Sequence, residues 1–264
     1  MSKVFLKGLL LLFMFFSIWF LFSQIDWMRV LRIEQVTRET EEKMGDLFLE
    51  FFTNEDKEIT DTIVVQRVSL LVRKICESND IDPSGIKVHI LKNDDVNAFA
   101  IPGRHLIIYS GLIAQADNQQ ELCGVIGHEL AHIELDHVMK KLVSEVGFGA
   151  LVSITTGGTG TETIKSIAKL LSSSAFDRAL EKEADLKSVE YLSNAEINPE
   201  GLAAFLEKMS QEEGKANQYL SWMSTHPESR KRAKYIREET KKRKTRYSPV
   251  LTEESWKMLV EEVD

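Results

Sequence analysis

Glu121-Leu-Cys-Gly-Val-Ile-Gly-His-Glu-Leu-Ala-His-Ile-Glu-Leu-Asp-His137 reads as one helix, and its register decides what the chain can do. An α-helix turns about 100° per residue, so His128 and His132 stand roughly 40° apart on one face. Both imidazoles can reach a single cation. Glu129 lies about 60° round from His132, close enough to touch a water on that cation. Leu122, Val125, Ile126 and Ile133 are apolar, so the helix is expected to be buried. Two histidines and a glutamate inside a buried helix cost free energy unless something satisfies them. That favours a metal over two casual surface histidines.

His-Glu-x-x-His is the arrangement in which two histidines hold zinc and the glutamate serves as general base. Two histidines do not complete a catalytic zinc site, which takes a third protein ligand and leaves the fourth position to water. Glu181, Glu183 and Asp185, in Phe176-Asp-Arg-Ala-Leu-Glu-Lys-Glu-Ala-Asp185, are the concentrated candidates. Glu181 and Asp185 share a helix face at i, i+4, whereas Glu183 points away from both. This favours Glu181 as ligand and Asp185 as an acceptor that orients a ligating histidine. Without the histidine motif, an acid-rich helix is more simply a solvated surface.

The 264 residues allow one large domain or two small ones, and the apolar share of 43% supports a sizeable core. A formal charge of −8 argues against a nucleic-acid surface. The basic run from Arg230 to Arg246 alternates with acids and reads as a solvated helix face. Cys76 and Cys123 form no Cys-x-x-Cys pair, so neither a redox motif nor a thiolate zinc site is implied.

Residues 1–25 stand apart. Lys3 and Lys7 precede an apolar run to Phe22, and Val4 to Gln24 gives about 30 Å of helix, one bilayer core. A cleaved signal peptide is the competing reading, but large aromatics crowd the cleavage position, which favours an uncleaved anchor. The lysines favour a cytoplasmic N-terminus, with the remainder on the periplasmic or extracytoplasmic side. Residues 26–58 read as a helical linker and 59–77 as an amphipathic helix. Ile86–Leu91 alternates as a strand, and Asn97–Tyr109 as two short strands about the turn at Pro102-Gly103. Gly157-Gly158-Thr159-Gly160 lacks the lysine of a phosphate-binding loop, so 147–160 reads as a mobile connection near the site. Helices are expected over 164–171, from Phe176 to Leu192, after Asn198-Pro199 and after His226-Pro227.

His128-Glu-Leu-Ala-His132 with His137, then Asp177-Arg-Ala-Leu-Glu181-Lys-Glu-Ala-Asp185, then Thr225-His226-Pro227 with Arg232, resembles the gluzincin metallopeptidase family of HtpX, the CAAX prenyl protease and the BepA-like and Oma-type peptidases. Asn97–Gly103 and Tyr109-Ser-Gly-Leu112 resemble its sheet segment, and the likeness covers about residues 60–240. The resemblance implies one zinc ion held by His128, His132 and Glu181, with Glu129 catalytic. It also implies a role near the site for His226, covering the metal or steadying an oxyanion. Asp136 and Arg104 depart from the family pattern without touching the ligand set. The implied fold is α+β: a mostly helical zincin-like domain over 59–241 with a small antiparallel sheet, an N-terminal transmembrane helix and a C-terminal tail over 242–264. The implied function is a membrane-anchored zinc endopeptidase acting on misfolded or misassembled envelope proteins. A non-catalytic chaperone or assembly adaptor that keeps the fold is the alternative, and a damaged ligand set would be its mark.

Overall fold

The structure is a computed structural model and describes residues 7, 12–14, 16–17, 33–212, 220–243 and 246–263. The chain divides into two compact units, Met1–Thr40 and Glu41–Asp264. In the first unit, the span expected over Val4–Gln24 lies outside the described residues except for Lys7, Leu12, Phe13, Met14, Phe16 and Ser17, all helical. Among the described residues no helix is long and apolar enough to cross a membrane. Helix α1 (Ile33–Glu55) begins in this unit and ends in the second.

The second unit is mostly helical. After the last turns of α1 come α2 (Thr62–Glu77), strands β1 (Lys87–Leu91), β2 (Ala98–Ile101) and β3 (His105–Tyr109), then α3 (Ser110–Gln115) and α4 (Gln119–Glu134). The chain continues through α5 (His137–Val146), α6 (Phe148–Thr155), α7 (Thr161–Ser173), α8 (Arg178–Asn194) and α9 (Glu200–Glu212). It closes with α10 (Leu220–Thr225), α11 (Ser229–Thr240) and α12 (Glu253–Val263).

The expected α+β class holds, but the sheet is mixed and not antiparallel. Its strand order is β1-β3-β2, with β1 parallel and β2 antiparallel to β3. All residues of β2 and β3 are buried, whereas β1 leaves Lys87 exposed and Val88 and His89 half-buried. The tight turn at 102–104 pairs β3 with β2 as a hairpin, and β1, the least buried strand, joins the other side of β3 in parallel.

Helix α4 is the axis of the unit. Asn118 caps its start by accepting from the N–H groups of Gln120 and Glu121, and all its residues except Gln120 and Glu134 are buried. Helices α8 and α9 and strand β2 pack on it. Gly124 and Gly201 permit the closest approach: a Cβ at Gly201 would lie 2.2 Å from the carbonyl oxygen of Gln120. The single helix expected over 121–137 is broken. It ends at Glu134, Asp136 turns into the left-handed region at φ +55°, and His137 opens α5. The glycine-rich run 147–160 is mostly helix α6, whose Leu151 and Ile154 are buried.

Candidate metal centre

Four buried side chains from three places in the chain meet at one point. His128 and His132 come from α4, Glu181 from the first turn of α8, and His226 from just after α10. Their ligating atoms all lie within 4.8 Å of one another. The Nε2 atoms of His128 and His132 are 3.0 Å apart. Nδ1 of His226 is 3.2 Å from Nε2 of His128 and 2.9 Å from Oε1 of Glu181. Oε1 of Glu181 is 3.3 Å from Nε2 of His132.

Tautomers follow from the partners behind each ring. Nδ1 of His128 faces Oδ1 of Asp185 at 3.0 Å, so it carries the proton. Nδ1 of His132 lies 3.1 Å from Nδ1 of His137, whose Nε2 faces Glu183 at 3.4 Å. The Glu183 carboxylate favours the proton on Nε2 of His137, whose Nδ1 then accepts from His132. The two Nε2 lone pairs of the motif are left pointing at each other, a repulsive contact that a shared cation relieves. Atoms about 2.0–2.1 Å from a tetrahedral zinc stand about 3.3 Å apart, so the observed spacings fit that ion.

Electrostatics set the same chemical forms. Burial pushes the His132 imidazole well below its ordinary pKa and His226 down to about 4, despite the opposing pull of Glu181. Burial acts to raise Glu181, but His226, Arg232 and His132 outweigh it and hold the carboxyl well below the usual range. Neutral imidazoles beside an ionised carboxylate are the ligating forms. Asp185 is likewise buried yet held low by Arg232 and His128.

Glu129 behaves oppositely. Burial and then the Glu181 charge raise its pKa well above the carboxylate range, more than the Ala100 N–H and Arg232 lower it. The N–H of Ala100 donates to Oε2 of Glu129 at 3.1 Å, and Oε1 lies 3.3 Å from Nε2 of His226. Ala100 belongs to β2, which among the described residues pairs with β3 on one side only, so Glu129 stands at the edge of the sheet. The three carboxylates are thus pushed apart: Glu181 and Asp185 toward the charged form and Glu129 toward the neutral one.

The structure thus brings His128, His132, Glu129, Glu181 and His226 together, and Asp185 stands behind the ligands. Glu183 faces away, with its side chain 55% exposed. What the sequence does not disclose is the support. Arg232 donates to both oxygens of Asp185 at 2.8 Å and pairs with Glu181. Tyr235 also donates to Asp185. Nothing in the basic run 230–246 separates Arg232 from its solvated neighbours except that it alone is fully enclosed among carboxylates. Trp222 stacks on His226 with centroids 4.1 Å apart, and Phe176 lies 4.1 Å from the His132 ring. These rings keep bulk water from two sides of the cluster.

Residues 64–240 match the profile of Peptidase family M48. The chain is 33% identical over 181 residues to the metalloprotease LoiP of Escherichia coli, covering 66% of this chain and 69% of that one. It is 28% identical over 176 residues to the mitochondrial metalloendopeptidase OMA1 of Schizosaccharomyces pombe, 65% of this chain and 51% of the relative. A beta-barrel assembly-enhancing protease of Yersinia pestis is 23% identical over 196 residues, 70% of this chain and 40% of the relative. The chain therefore spans about half the length of two of these three relatives. With two thirds of its residues inside the family profile, the chain belongs to peptidase family M48, the zinc metallopeptidases.

Proposed function

We propose that this chain is a zinc-dependent endopeptidase that cleaves extended segments of unfolded or misassembled proteins. In this reading His128, His132 and Glu181 hold the metal, and Glu129 is the catalytic acid and base. The observation that carries it is the meeting of Glu129, a three-residue donor set and the free edge of β2 at one buried point. Bound zinc supplies a water acidified toward neutrality and a Lewis acid for the scissile carbonyl. Glu129 takes the attacking water's proton and returns it to the leaving amine. A peptide laid along β2 is read through its backbone, which suits substrates of varied sequence.

His226 completes a fourth corner. Its Nδ1 stands among the donor atoms, where a catalytic zinc site keeps an open position. With a metal held by the other three residues, His226 would cover it and its imidazole would have to swing away to admit substrate. Its Nε2 stands 3.3 Å from Oε1 of Glu129, where it would be placed to steady an oxyanion.

We further propose that residues 1–25 anchor the protein in a membrane, with the peptidase unit on the extracytoplasmic side. Helical Leu12, Phe13, Met14 and Phe16 are each more than half exposed, which supports an apolar environment around them. One relative is by name an assembly-enhancing protease, which supports envelope proteins as substrates.

Metal analysis of the purified chain, with casein digestion by wild type and Glu129→Gln, tests the enzymatic reading. One zinc per chain, cleavage by wild type alone, loss on chelation and recovery with zinc are expected. A zinc-loaded wild type that cuts no polypeptide overturns it.

A further inference from the structure

A cavity of about 650 Å³ opens at the start of β2, between the end of α1, the 93–97 loop, the end of α7 and α10. Glu55, Asp56 and Asp95 line it, against one basic residue, Lys169. Asp56 and Asp95 are half-buried, and burial followed by the charges of Asp56 and Asp94 raises the Asp95 carboxyl. Acids alone make no site. The second observation is Asn97, which is fully buried in the cavity wall. Its amide nitrogen donates to Oγ of Ser221 at 2.9 Å, and Ser221 lines the same cavity. Among the described residues its carboxamide oxygen has no hydrogen-bond partner. A buried acceptor without a donor is unfavourable, so a ligand that brings it an N–H is stabilised there.

The position says which ligand. Asn97 precedes β2 directly, three residues from Ala100, whose N–H meets Glu129. Three residues of extended chain span about 10 Å. A peptide running along the β2 edge past Glu129 passes over this cavity with its third or fourth residue from the cut. We propose that the cavity is a substrate subsite for a basic side chain, with Asp56 and Asp95 pairing the charge of an arginine or lysine, Glu55 at its mouth and the Asn97 carbonyl accepting an N–H. This specificity rests on the peptidase reading and adds to it. Backbone pairing alone accepts any sequence, and the cavity selects segments carrying a positive charge at one fixed distance from the scissile bond.

The test is a digest of a defined peptide mixture, with cut sites mapped by mass spectrometry, followed by matched peptides bearing arginine or neutral citrulline at the enriched position. Wild type is expected to show arginine and lysine enriched at one position, the third or fourth residue from the cut. The kcat/KM ratio of arginine to citrulline peptide should be about tenfold or more, the range of a charge-assisted pair. In Asp56→Asn/Asp95→Asn that ratio falls toward one. Glu55→Gln, altered at an exposed side chain, lowers it partly and guards against a double variant that fails to fold. Absence of basic enrichment in wild type, or a ratio unchanged in the folded variants, overturns the subsite. If wild type cuts nothing, the peptidase reading fails, and fluorescence anisotropy of the same two peptides on the zinc-loaded chain still decides the subsite. Preferential binding of the arginine peptide, lost in Asp56→Asn/Asp95→Asn, upholds it, and equal binding of the two overturns it.

Discussion

Asp185 touches no substrate in the proposed chemistry, yet it is the residue through which the ligand set is held. Its two oxygens take Nδ1 of His128, two guanidinium nitrogens of Arg232 and the Tyr235 hydroxyl. Fully buried carboxylates survive only when such partners outweigh desolvation, and here they do so by enough to keep the group ionised. Asp185→Asn keeps the volume and removes the charge. The amide can still accept from His128, but it can no longer balance Arg232, which then draws on Glu181 alone. Zinc affinity measured by competition with a chelator is expected to fall 10- to 100-fold, the usual consequence of losing such an outer partner. Equal affinity in the two proteins would show that His128 is oriented by something other than this carboxylate. The i, i+4 spacing of Glu181 and Asp185 made this pair legible in the sequence. Arg232 entered only as part of the family likeness, without a role, and Tyr235 not at all, because their contacts join α8 to α11 across about 50 positions and no local pattern encodes that.

Helix α4 was legible for a related reason: its apolar residues and paired histidines are local, so their spacing announces it. The break at Leu135–Asp136 was not, since nothing between Ile133 and His137 is a glycine or proline, and Asp136 adopts its left-handed turn with an ordinary side chain. The break matters, because restarting the helix at His137 carries its Nδ1 to within 3.1 Å of the His132 ring. The mixed sheet was hidden too, because the side of β3 on which β1 pairs is set by contacts between segments about 18 positions apart, not by the strands' own patterns. The crossing of α4 and α9 is equally non-local. Gly201→Ala places a methyl carbon on the Gln120 carbonyl, and neither helix backbone can yield locally. A loss of about 1–3 kcal/mol in urea unfolding is expected, as for other overpacked cores, and an unchanged midpoint would mean that the helices shift apart freely.

The sheet also carries a pH dependence. His105, on the central strand, is pushed down to about 4 by burial, then by Lys87 and His89, with Asp46 opposing. Its ring stacks on His89 with their nitrogens 3.0 Å apart, and His89 in turn meets Glu58. The unfolded chain binds this proton near pH 6.5 and the folded chain only near 4. Between those values the unfolded state holds more protons, so stability is complete above about pH 6.5 and declines as pH falls toward 4. The decline from this one group is about 1–3 kcal/mol. Urea titrations at pH 7.5 and 5 should show a smaller difference in His105→Asn than in wild type. Equal differences would assign the acid sensitivity elsewhere.

For the whole molecule, the open matter is the first 25 residues. Eleven leucine, isoleucine and phenylalanine residues between Leu9 and Phe22 contribute about 3–7 kcal/mol toward insertion on a scale of 0.3–0.6 each, with no charged residue between Lys7 and Asp26 to oppose them. That sum favours a retained anchor, and the crowded aromatics near Ser23 oppose cleavage. Two measurements separate the possibilities. Alkaline carbonate washing of membranes should leave the full-length protein in the pellet, with an intact N-terminal mass. In the proposed orientation, with Lys3 and Lys7 on the cytoplasmic side, added protease should digest the peptidase unit only when it has access to the extracytoplasmic face. A soluble product beginning after Ser23 would establish a signal peptide, leave the zinc chemistry untouched and release the enzyme from the surface. A full-length protein digested from the cytoplasmic side would reverse the orientation and remove envelope proteins from the reach of Glu129.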